Sequence, residues 1–433
     1  MKGDVHGMQK EHGTTASQEW AGGWKLTTAA MLGYATAGLP PFAFGPFVTA
    51  IKAEFGWSLT QVMAGLSLSI LLGCLLLVLV GLYIDRHGSR RVGLAGLLVM
   101  CGAFALLGTA TGTTANWLGL WAIVGIGVVL VQPTVWTSAV ASRFDRSRGL
   151  AIAVVLSGGA LTAAAAPAIG TALLDHYGWR AAMAGVGGIW LAASFPAVFL
   201  FLKNARPATR VASAEPASPA SVPAPAPIAA PAPQGLGFQE GLRTRGFACI
   251  LISFCAFTFY SGVISPNLVR LLGDAGVTPM TAAAIASAMG AASICTRLAV
   301  GFLLDRFPGN VIGFVMQMLP VAGCALLLLP QPGVATLTLA VITFGMAIGA
   351  EMDVALYLAT RHFGLRSFAS LFGLITTAGS ISSAAAPISS GWVYDNFGGY
   401  DLIIQLVMIV MAVGATSILL SGSPRFSTKM AHA

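Results

Sequence analysis

The sequence predicts an all-α polytopic membrane protein with twelve transmembrane helices arranged as two pseudo-symmetric halves of six. Of its 433 residues, 56% are hydrophobic and 9% are charged. Soluble domains usually carry about 25% charged residues. Apolar runs close to the roughly 20 residues that a helix needs to cross a bilayer recur along the whole chain. A water-soluble protein is therefore excluded, and a lipid bilayer is the expected surroundings of most of the chain.

Apolar runs between polar breaks predict the individual spans. They cover residues 25–49, 59–83, 91–111, 116–141, 149–173, 180–202, 245–270, 281–303, 311–330, 334–359, 369–393 and 401–421. The predicted domains are an N-terminal tail (1–24), a first half (25–203), a linker (204–241), a second half (242–421) and a C-terminal tail (422–433). The linker is rich in Ala and Pro, a composition that favours an extended, semi-rigid tether.

The placement of Lys and Arg predicts the orientation of the spans. Loops on the side of the two termini are rich in these residues, whereas the opposite loops hold only Lys52, Arg180 and Arg270. The positive-inside rule therefore places both termini in the cytoplasm of a protein of the inner (plasma) membrane. This topology explains the formal charge of +8, so no nucleic-acid partner is expected. The six cysteines lie in apolar runs without metal-ligand spacing, and no metal or other cofactor is expected.

An internal repeat relates the two predicted halves. The segment Gly-Leu-Tyr-Ile-Asp-Arg at residues 81–86 recurs as Gly-Phe-Leu-Leu-Asp-Arg at 301–306, an offset of 220 residues. The same offset relates the Ala-Ala-Ala-Pro runs that end at Pro167 and Pro387. One offset near both ends of each half indicates a duplicated six-helix unit. Duplicated halves of this kind place a central site at the interface between them.

The loop between the second and third spans carries a specific pattern, Gly-x-x-x-Asp-Arg-x-Gly-x-Arg-Arg. Its members are Gly81, Asp85, Arg86, Gly88, Arg90 and Arg91. The pattern resembles the signature of the major facilitator superfamily, and the second copy keeps Gly301, Asp305 and Arg306 before it departs. The resemblance implies the major facilitator fold. It also implies a gating role for these loop residues, including Asp305 and Arg306, as the halves move.

Other segments are similar to the monocarboxylate transporter and oxalate/formate exchanger group. They are Phe-Gly-Trp-Ser at 55–58, Arg-Gly-Leu-Ala at 148–151, Arg297, and the run from Glu351 to Gly364. This resemblance implies a secondary active carrier of small organic anions, mono- or dicarboxylates, that works by alternating access and often moves a proton as well. Many animal carriers have an aspartate where this chain has Ser293, so their proton acceptor does not transfer directly.

Three charged residues, Arg297, Glu351 and Asp353, are predicted deep inside the membrane. Such charges cost at least about 2.5–3.5 kcal/mol each on insertion scales and need compensation. Arg297 and Glu351 precede the terminal-side Arg306 and Arg361 by similar intervals, which places both about 13–15 Å from that face. The planar donor fork of Arg297 matches a carboxylate, so we expect it to bind the substrate. The alternative is a structural pair with Glu351 or Asp353, and the two roles are compatible.

Proton coupling is assigned to Glu351 or Asp353. The two residues lie about 200° apart around a helix, so one is expected to face the cavity and the other to face packed neighbours. A low dielectric favours a protonated carboxyl, whereas pairing with Arg297 favours the ionised form. This opposition can couple a proton to an anion. A purely structural role for either carboxyl is the alternative.

Uncharged polar residues on the first and fourth helices of each half give further candidates for substrate contact. They are Tyr34, Gln132, Tyr260 and Asn267. Each side chain can hydrogen-bond to a substrate, while bonding or packing between helices is the alternative role.

The predicted function is secondary transport of small organic anions with protons, by a protein that is not an enzyme and acts as a monomer. Anion exchange without protons and proton-antiport drug efflux are the alternatives, although a buried arginine disfavours efflux. The sequence contains no P-loop motif that would support ATP drive, and no catalytic constellation or channel filter is evident.

Overall fold

The computed structural model describes residues 16–141, 143–144, 147–202, 235–304, 306–364 and 366–422. Within these ranges the backbone is almost entirely helical, and β-structure is limited to an isolated bridge between Gly235 and Gly364.

The first half is built from seven α-helices. They are α1 (Ala16–Ala35), α2 (Val48–Phe55), α3 (Leu59–His87), α4 (Ser89–Leu106), α5 (Thr114–Leu130), α6 (Pro133–Ala141) and α7 (Arg148–Phe201). Short 3₁₀ turns at Thr36–Gly38, Gly45–Phe47 and Leu107–Thr109 and a π-turn at Leu39–Ala43 extend or join them.

The second half begins with a short helix beside the linker. Its elements are α8 (Phe238–Leu242), α9 (Arg245–Asp274), α10 (Pro279–Leu304), α11 (Gly309–Leu327), α12 (Val334–Phe363), α13 (Phe368–Phe397) and α14 (Asp401–Leu419).

Ten helical segments among the described residues are long and apolar enough to cross a membrane. One of them, α7, has 54 residues and would be about 80 Å long if straight, more than twice a bilayer core. Gly178, with φ 74° and ψ 164°, divides α7 into two crossings. The interrupted helix formed by residues 16–55 supplies another crossing. The predicted all-α fold with twelve passes is thereby confirmed.

Prolines break the first span into short pieces. Pro40, Pro41 and Pro46 lack the N–H that would continue the α-helical ladder, so 3₁₀ and π-turns replace it between α1 and α2. The helix begins at Ala16, well before the predicted start of the span at residue 25.

A second break lies inside the predicted span 116–141, which is not continuous in the structure. Helix α5 ends at Leu130 and α6 begins at Pro133, a residue suited to the first turn of a helix. The indole Nε1 of Trp136 donates to the Val131 carbonyl at 3.0 Å and so satisfies an acceptor that the break releases.

The predicted linker ends in ordered structure. Leu236 donates its backbone N–H to the Phe363 carbonyl at 2.9 Å, and α8 covers the last residues of the range 204–241 and ends at Leu242. The linker therefore joins the second half beside the end of α12, while residues 203–234 lie outside the described part of the chain.

The two halves meet mainly along two pairs of helices, and the turns between α1 and α2 also contact α9. Helix α3 packs against α13, and α7 packs against α10. At the second contact Gly290 of α10 lies directly on the backbone of α7 at Ala160 and Ala164, where a methyl group would overlap. The ends of the helices near residues 56–58, 178, 276 and 398 lie on the side away from the start of α1 and the end of α14, and we call this side the distal end.

Within the second half, α10 and α12 pack as closely as their backbones allow. Gly349 of α12 lies against the backbone of Ser293, and Gly345 lies against that of Met289. A Cβ at either glycine would overlap a carbonyl oxygen, so only glycine permits this approach. Small residues at such positions allow close helix contact in membranes.

We expect Gly349→Ala to destabilise the protein by about 1–3 kcal/mol, because its methyl group would push α10 away from α12. Gly188→Ala is the matched control: it lies in α7 with open space around it, so the better helix propensity of alanine makes it neutral or stabilising by up to about 1 kcal/mol. Thermal unfolding in detergent measures both. Equal midpoints for the two variants would contradict the close contact.

Candidate functional site

An ion pair between α10 and α12 lies at the centre of the candidate site. Nη1 of Arg297 is 3.6 Å from Oδ2 of Asp353, and their side chains are 11% and 28% exposed. The close packing of α10 on α12 brings these two positions together. The separation gives electrostatic attraction but is too long for a hydrogen bond.

The guanidinium of Arg297 keeps unused donors. Its Nε and Nη1 atoms are buried, and neither has a hydrogen-bond partner among the described residues. A buried donor without a partner costs about 1–3 kcal/mol, more for a charged group. The guanidinium therefore has hydrogen-bonding capacity left for an anionic acceptor such as a carboxylate, and each such bond would be charge-assisted.

Tyr34 brings the first half to the same place. It lies just before the end of α1, partly buried, with its ring against Gly159 of α7. Its hydroxyl is within electrostatic range of the Arg297 guanidinium. The site therefore draws its polar groups from both halves.

Glu351 has a different environment from Asp353. It is buried, 6% exposed, and its Oε2 lies 3.4 Å from Nε2 of Gln317 in α11. The same Nε2 donates to the Ser253 carbonyl in α9 at 3.2 Å and contacts the Ser253 hydroxyl. Glu351 therefore faces the packing between α9, α11 and α12, while Asp353 contacts Arg297, in keeping with their separation of about 200° around α12.

Tyr260 and Asn267 of α9 are fully enclosed in this conformation. The hydroxyl of Tyr260 donates to the Phe344 carbonyl at 3.2 Å. The Asn267 amide donates to Val263 and Ser390, and its oxygen accepts from the Tyr400 hydroxyl at 3.0 Å. These contacts favour the alternative role, bonding between helices, over substrate contact.

Gln132 lies at the break between α5 and α6. Its carbonyl accepts the Val135 N–H at 3.1 Å, and its side chain is half-buried. No described contact links this residue to Arg297.

The predicted gating loop is described in part. Gly88, with φ 81°, separates α3 from α4 in a conformation that favours glycine. Nη2 of Arg90 donates to the Phe199 carbonyl at 2.8 Å, which ties α4 to the end of α7. Arg91 and Arg306 are exposed, and Arg306 stacks on Phe302 at 4.0 Å. The side chains of residues 81–87, with Gly81, Asp85 and Arg86, and residue Asp305 lie outside the described part.

Sequence reasoning missed Gln317 and Ser253, the polar neighbours of Glu351. The available signal was a single glutamine within the apolar α11, since an amide inside a membrane helix needs a partner. In the part of the chain that the structure describes, no group of three or more acidic, His or Cys side chains is placed to hold a metal ion.

The chain has twelve helical passes in two halves and, where the halves meet, an arginine with donors that make no hydrogen bond among the described residues. These features define the class of helical membrane transporters. The chain belongs to the Major Facilitator Superfamily, whose family model matches residues 30–387. The resemblance seen in the sequence is therefore confirmed.

Three relatives show where in the superfamily the similarity lies. "Monocarboxylate transporter 13" of Bos taurus is 27% identical over 320 residues, covering 73% of this chain and 69% of the relative. "Monocarboxylate transporter 4" of Mus musculus is 25% identical over 382 residues, covering 84% and 76%. A Bacillus subtilis protein named "Uncharacterized MFS-type transporter YcxA" is 21% identical over 344 residues, covering 78% and 79%.

A solved structure shares the fold. It is a bacterial homolog of the human lysosomal transporter Spinster in an inward-facing and occupied conformation. The TM-score is 0.66 at 15% identity, and the match covers 94% of each chain. At this identity the likeness concerns the fold alone.

A double-mutant cycle on Arg297→Gln and Asp353→Asn tests the ion pair without any substrate. Each single change leaves one buried charge without its partner, whereas the double change removes both charges. We expect a favourable coupling of about 1 kcal/mol in the free energy of unfolding, limited by the long separation and the partial exposure of Asp353. Additive effects would contradict an energetic contact between the two side chains.

Proposed function

We propose that this protein is a secondary active transporter that moves small mono- or dicarboxylates together with protons by alternating access. The observation that carries the proposal is the buried guanidinium of Arg297, of which two donor atoms make no hydrogen bond among the described residues. The relatives named monocarboxylate transporters support the same class of substrate.

Binding begins when a substrate carboxylate accepts hydrogen bonds from the guanidinium of Arg297. Because Asp353 holds the same guanidinium through a contact of 3.6 Å, the substrate competes with it. Tyr34 of the first half then donates its hydroxyl to the substrate. One anion thereby bridges the two halves, and binding energy is available to draw them together.

Proton coupling follows from this competition. When the substrate neutralises Arg297, Asp353 loses its counter-charge inside a low-dielectric bundle and takes up a proton. The loaded site then carries no uncompensated carboxylate through the membrane. Glu351, packed against Gln317, is the second candidate for the coupled proton.

Orientation and domain organisation complete the proposal. The excess of Lys and Arg in the loops on the terminal side supports cytoplasmic termini in an inner (plasma) membrane. Two halves, residues 25–203 and 242–421, are joined by the linker 204–241, and we propose that the monomer is the working unit. The loop formed by residues 81–91, with its counterpart around Asp305 and Arg306, would change partners as the halves move.

Anion exchange without protons is the second candidate function. Arg297 alone offers the donors that an anion needs, so exchange would require neither Asp353 nor Glu351 to titrate. The two candidates differ only in the effect of a proton gradient.

Reconstitution into liposomes with a panel of mono- and dicarboxylates tests the substrate class. Arg297→Lys retains the charge but loses the planar fork, so we expect uptake to fall by at least about tenfold. Arg243→Lys is the matched control, because Arg243 is exposed on the terminal side and should leave uptake unchanged. Full transport by Arg297→Lys would contradict the proposed hydrogen bonds between Arg297 and the substrate carboxylate.

The proton is tested by imposing an inward proton gradient on the same liposomes. We expect Asp353→Asn to remove the stimulation by the gradient while substrate exchange persists, because its side chain no longer titrates. Glu351→Gln should retain the stimulation, since Glu351 faces away from Arg297. If both variants still respond fully to the gradient, coupling through these carboxyls is wrong.

A further inference from the structure

A carboxylate of one half caps a helix of the other half at the distal end. Oδ1 of Asp395, near the end of α13, accepts the backbone N–H of Leu59 at 2.8 Å. Its Oδ2 accepts the backbone N–H of Thr60 at 2.7 Å and the Thr60 hydroxyl at 2.6 Å. These are the first residues of α3, so the bonds run between the halves.

Helix α3 is capped both by its own half and by the other. Ser58 accepts the Gln61 N–H at 3.2 Å, and the Gln61 side chain accepts the Ser58 N–H at 2.9 Å, as in a capping box. This local cap leaves the N–H groups of Leu59 and Thr60 to Asp395. Negative charge at a helix N-terminus also interacts favourably with the helix dipole.

The surrounding contacts hold the same two helices together. The backbone of Gly391 lies so close to Thr60 that a Cβ there would be 2.7 Å from the Thr60 Cα. About two helical turns further along α3, the Ser67 hydroxyl accepts the N–H of Ile388 at 3.1 Å. Lys52 of the first half lies 5.0 Å from the ring centre of Tyr394, next to Asp395.

We infer that Asp395 and the N-terminus of α3 form a latch that holds the distal end of the transporter closed. Opening this end separates α3 from α13 and breaks three hydrogen bonds and a charge–dipole contact at once. The local cap by Ser58 stays in place, while the bonds to Asp395 are lost together with the packing of Gly391 on Thr60 and the bond from Ile388 to Ser67. The latch sets the balance between the two alternating conformations and does not depend on the identity of the substrate.

The internal repeat supplies a natural comparison for this latch. Asp175 occupies the position of Asp395 in the first half, 220 residues earlier, but its side chain accepts no hydrogen bond from the described residues of α10. The corresponding helix of the second half is α10, which begins at Pro279, a residue without an N–H to offer. The latch is therefore built on one side of the pseudo-symmetric pair.

A thiol placed at the contact reports opening. Ser67 is nearly buried, 9% exposed, and faces α13. In the S67C background, the purified full chain in detergent is reacted with a polar maleimide, and mass spectrometry follows labelling at position 67. Detergent leaves both faces accessible, so the result requires no assumption about membrane orientation. The native Cys101, buried within the first half, reports unfolding in the same sample.

Removing the cap should raise the rate of labelling. We expect Asp395→Ala to increase it about 3- to 30-fold at position 67, the range that corresponds to the loss of an N-cap. Asp395→Asn, which keeps one acceptor oxygen, should give a smaller increase. Asp175→Ala is the matched control and should react like the parent protein, while Cys101 stays protected throughout.

Two results would overturn the latch. One is an unchanged rate at position 67 in Asp395→Ala with Cys101 protected, and the other is an equal increase in Asp175→Ala. If Asp395→Ala also exposes Cys101, the rate of labelling at position 67 in Asp395→Asn becomes the deciding measurement. Faster labelling at position 67 alone supports the latch, and a rate equal to the parent excludes it.

Discussion

A guanidinium placed among apolar helices has to be compensated, and a carboxylate of the neighbouring helix serves that need. The positive charge of Arg297 is met by Asp353 on the neighbouring helix, at a distance that stabilises the charge but leaves hydrogen-bond donors free. The pair exists because Gly345 and Gly349 let α12 approach the backbone of α10. Packing of small residues thus brings the two charges together, and the pair leaves donors of the guanidinium without hydrogen bonds.

The helices and their pairing were predictable because the bilayer imposes a length and a polarity on every span. The breaks within the helices were harder to predict from the sequence. The division of the fourth span at Gln132 depends on Pro133 together with the Trp136 indole, which satisfies the released carbonyl. The early start of α1 depends on tertiary contacts, in which Trp20 packs on Phe144 and Glu19 accepts the Ser147 N–H at 3.0 Å. No local sequence pattern predicts such contacts.

At the site too, some features follow from the sequence pattern, and others depend on how the helices pack. Three buried charges were evident from the sequence, and helix geometry indicated that Glu351 and Asp353 face different ways. Which of them meets Arg297 depends on how α12 is rotated in the bundle, a matter of packing. Tyr260 and Asn267 were candidates for substrate contact, yet their hydrogen bonds join helices instead. Polarity within a membrane helix indicates that a partner exists, and only the fold supplies the partner.

The halves are duplicated in plan but not in chemistry, since the ion pair and the capping carboxylate both belong to the second half while Tyr34 and the capped helix belong to the first.

An anion at Arg297 would release Asp353 to take up a proton. Proton uptake on adding a transported carboxylate to the detergent-solubilised protein in weakly buffered solution tests this exchange most directly. We expect about one proton per bound anion, and none in Asp353→Asn. Substrate binding by the unmodified protein without proton uptake would contradict the exchange between Arg297, Asp353 and the anion.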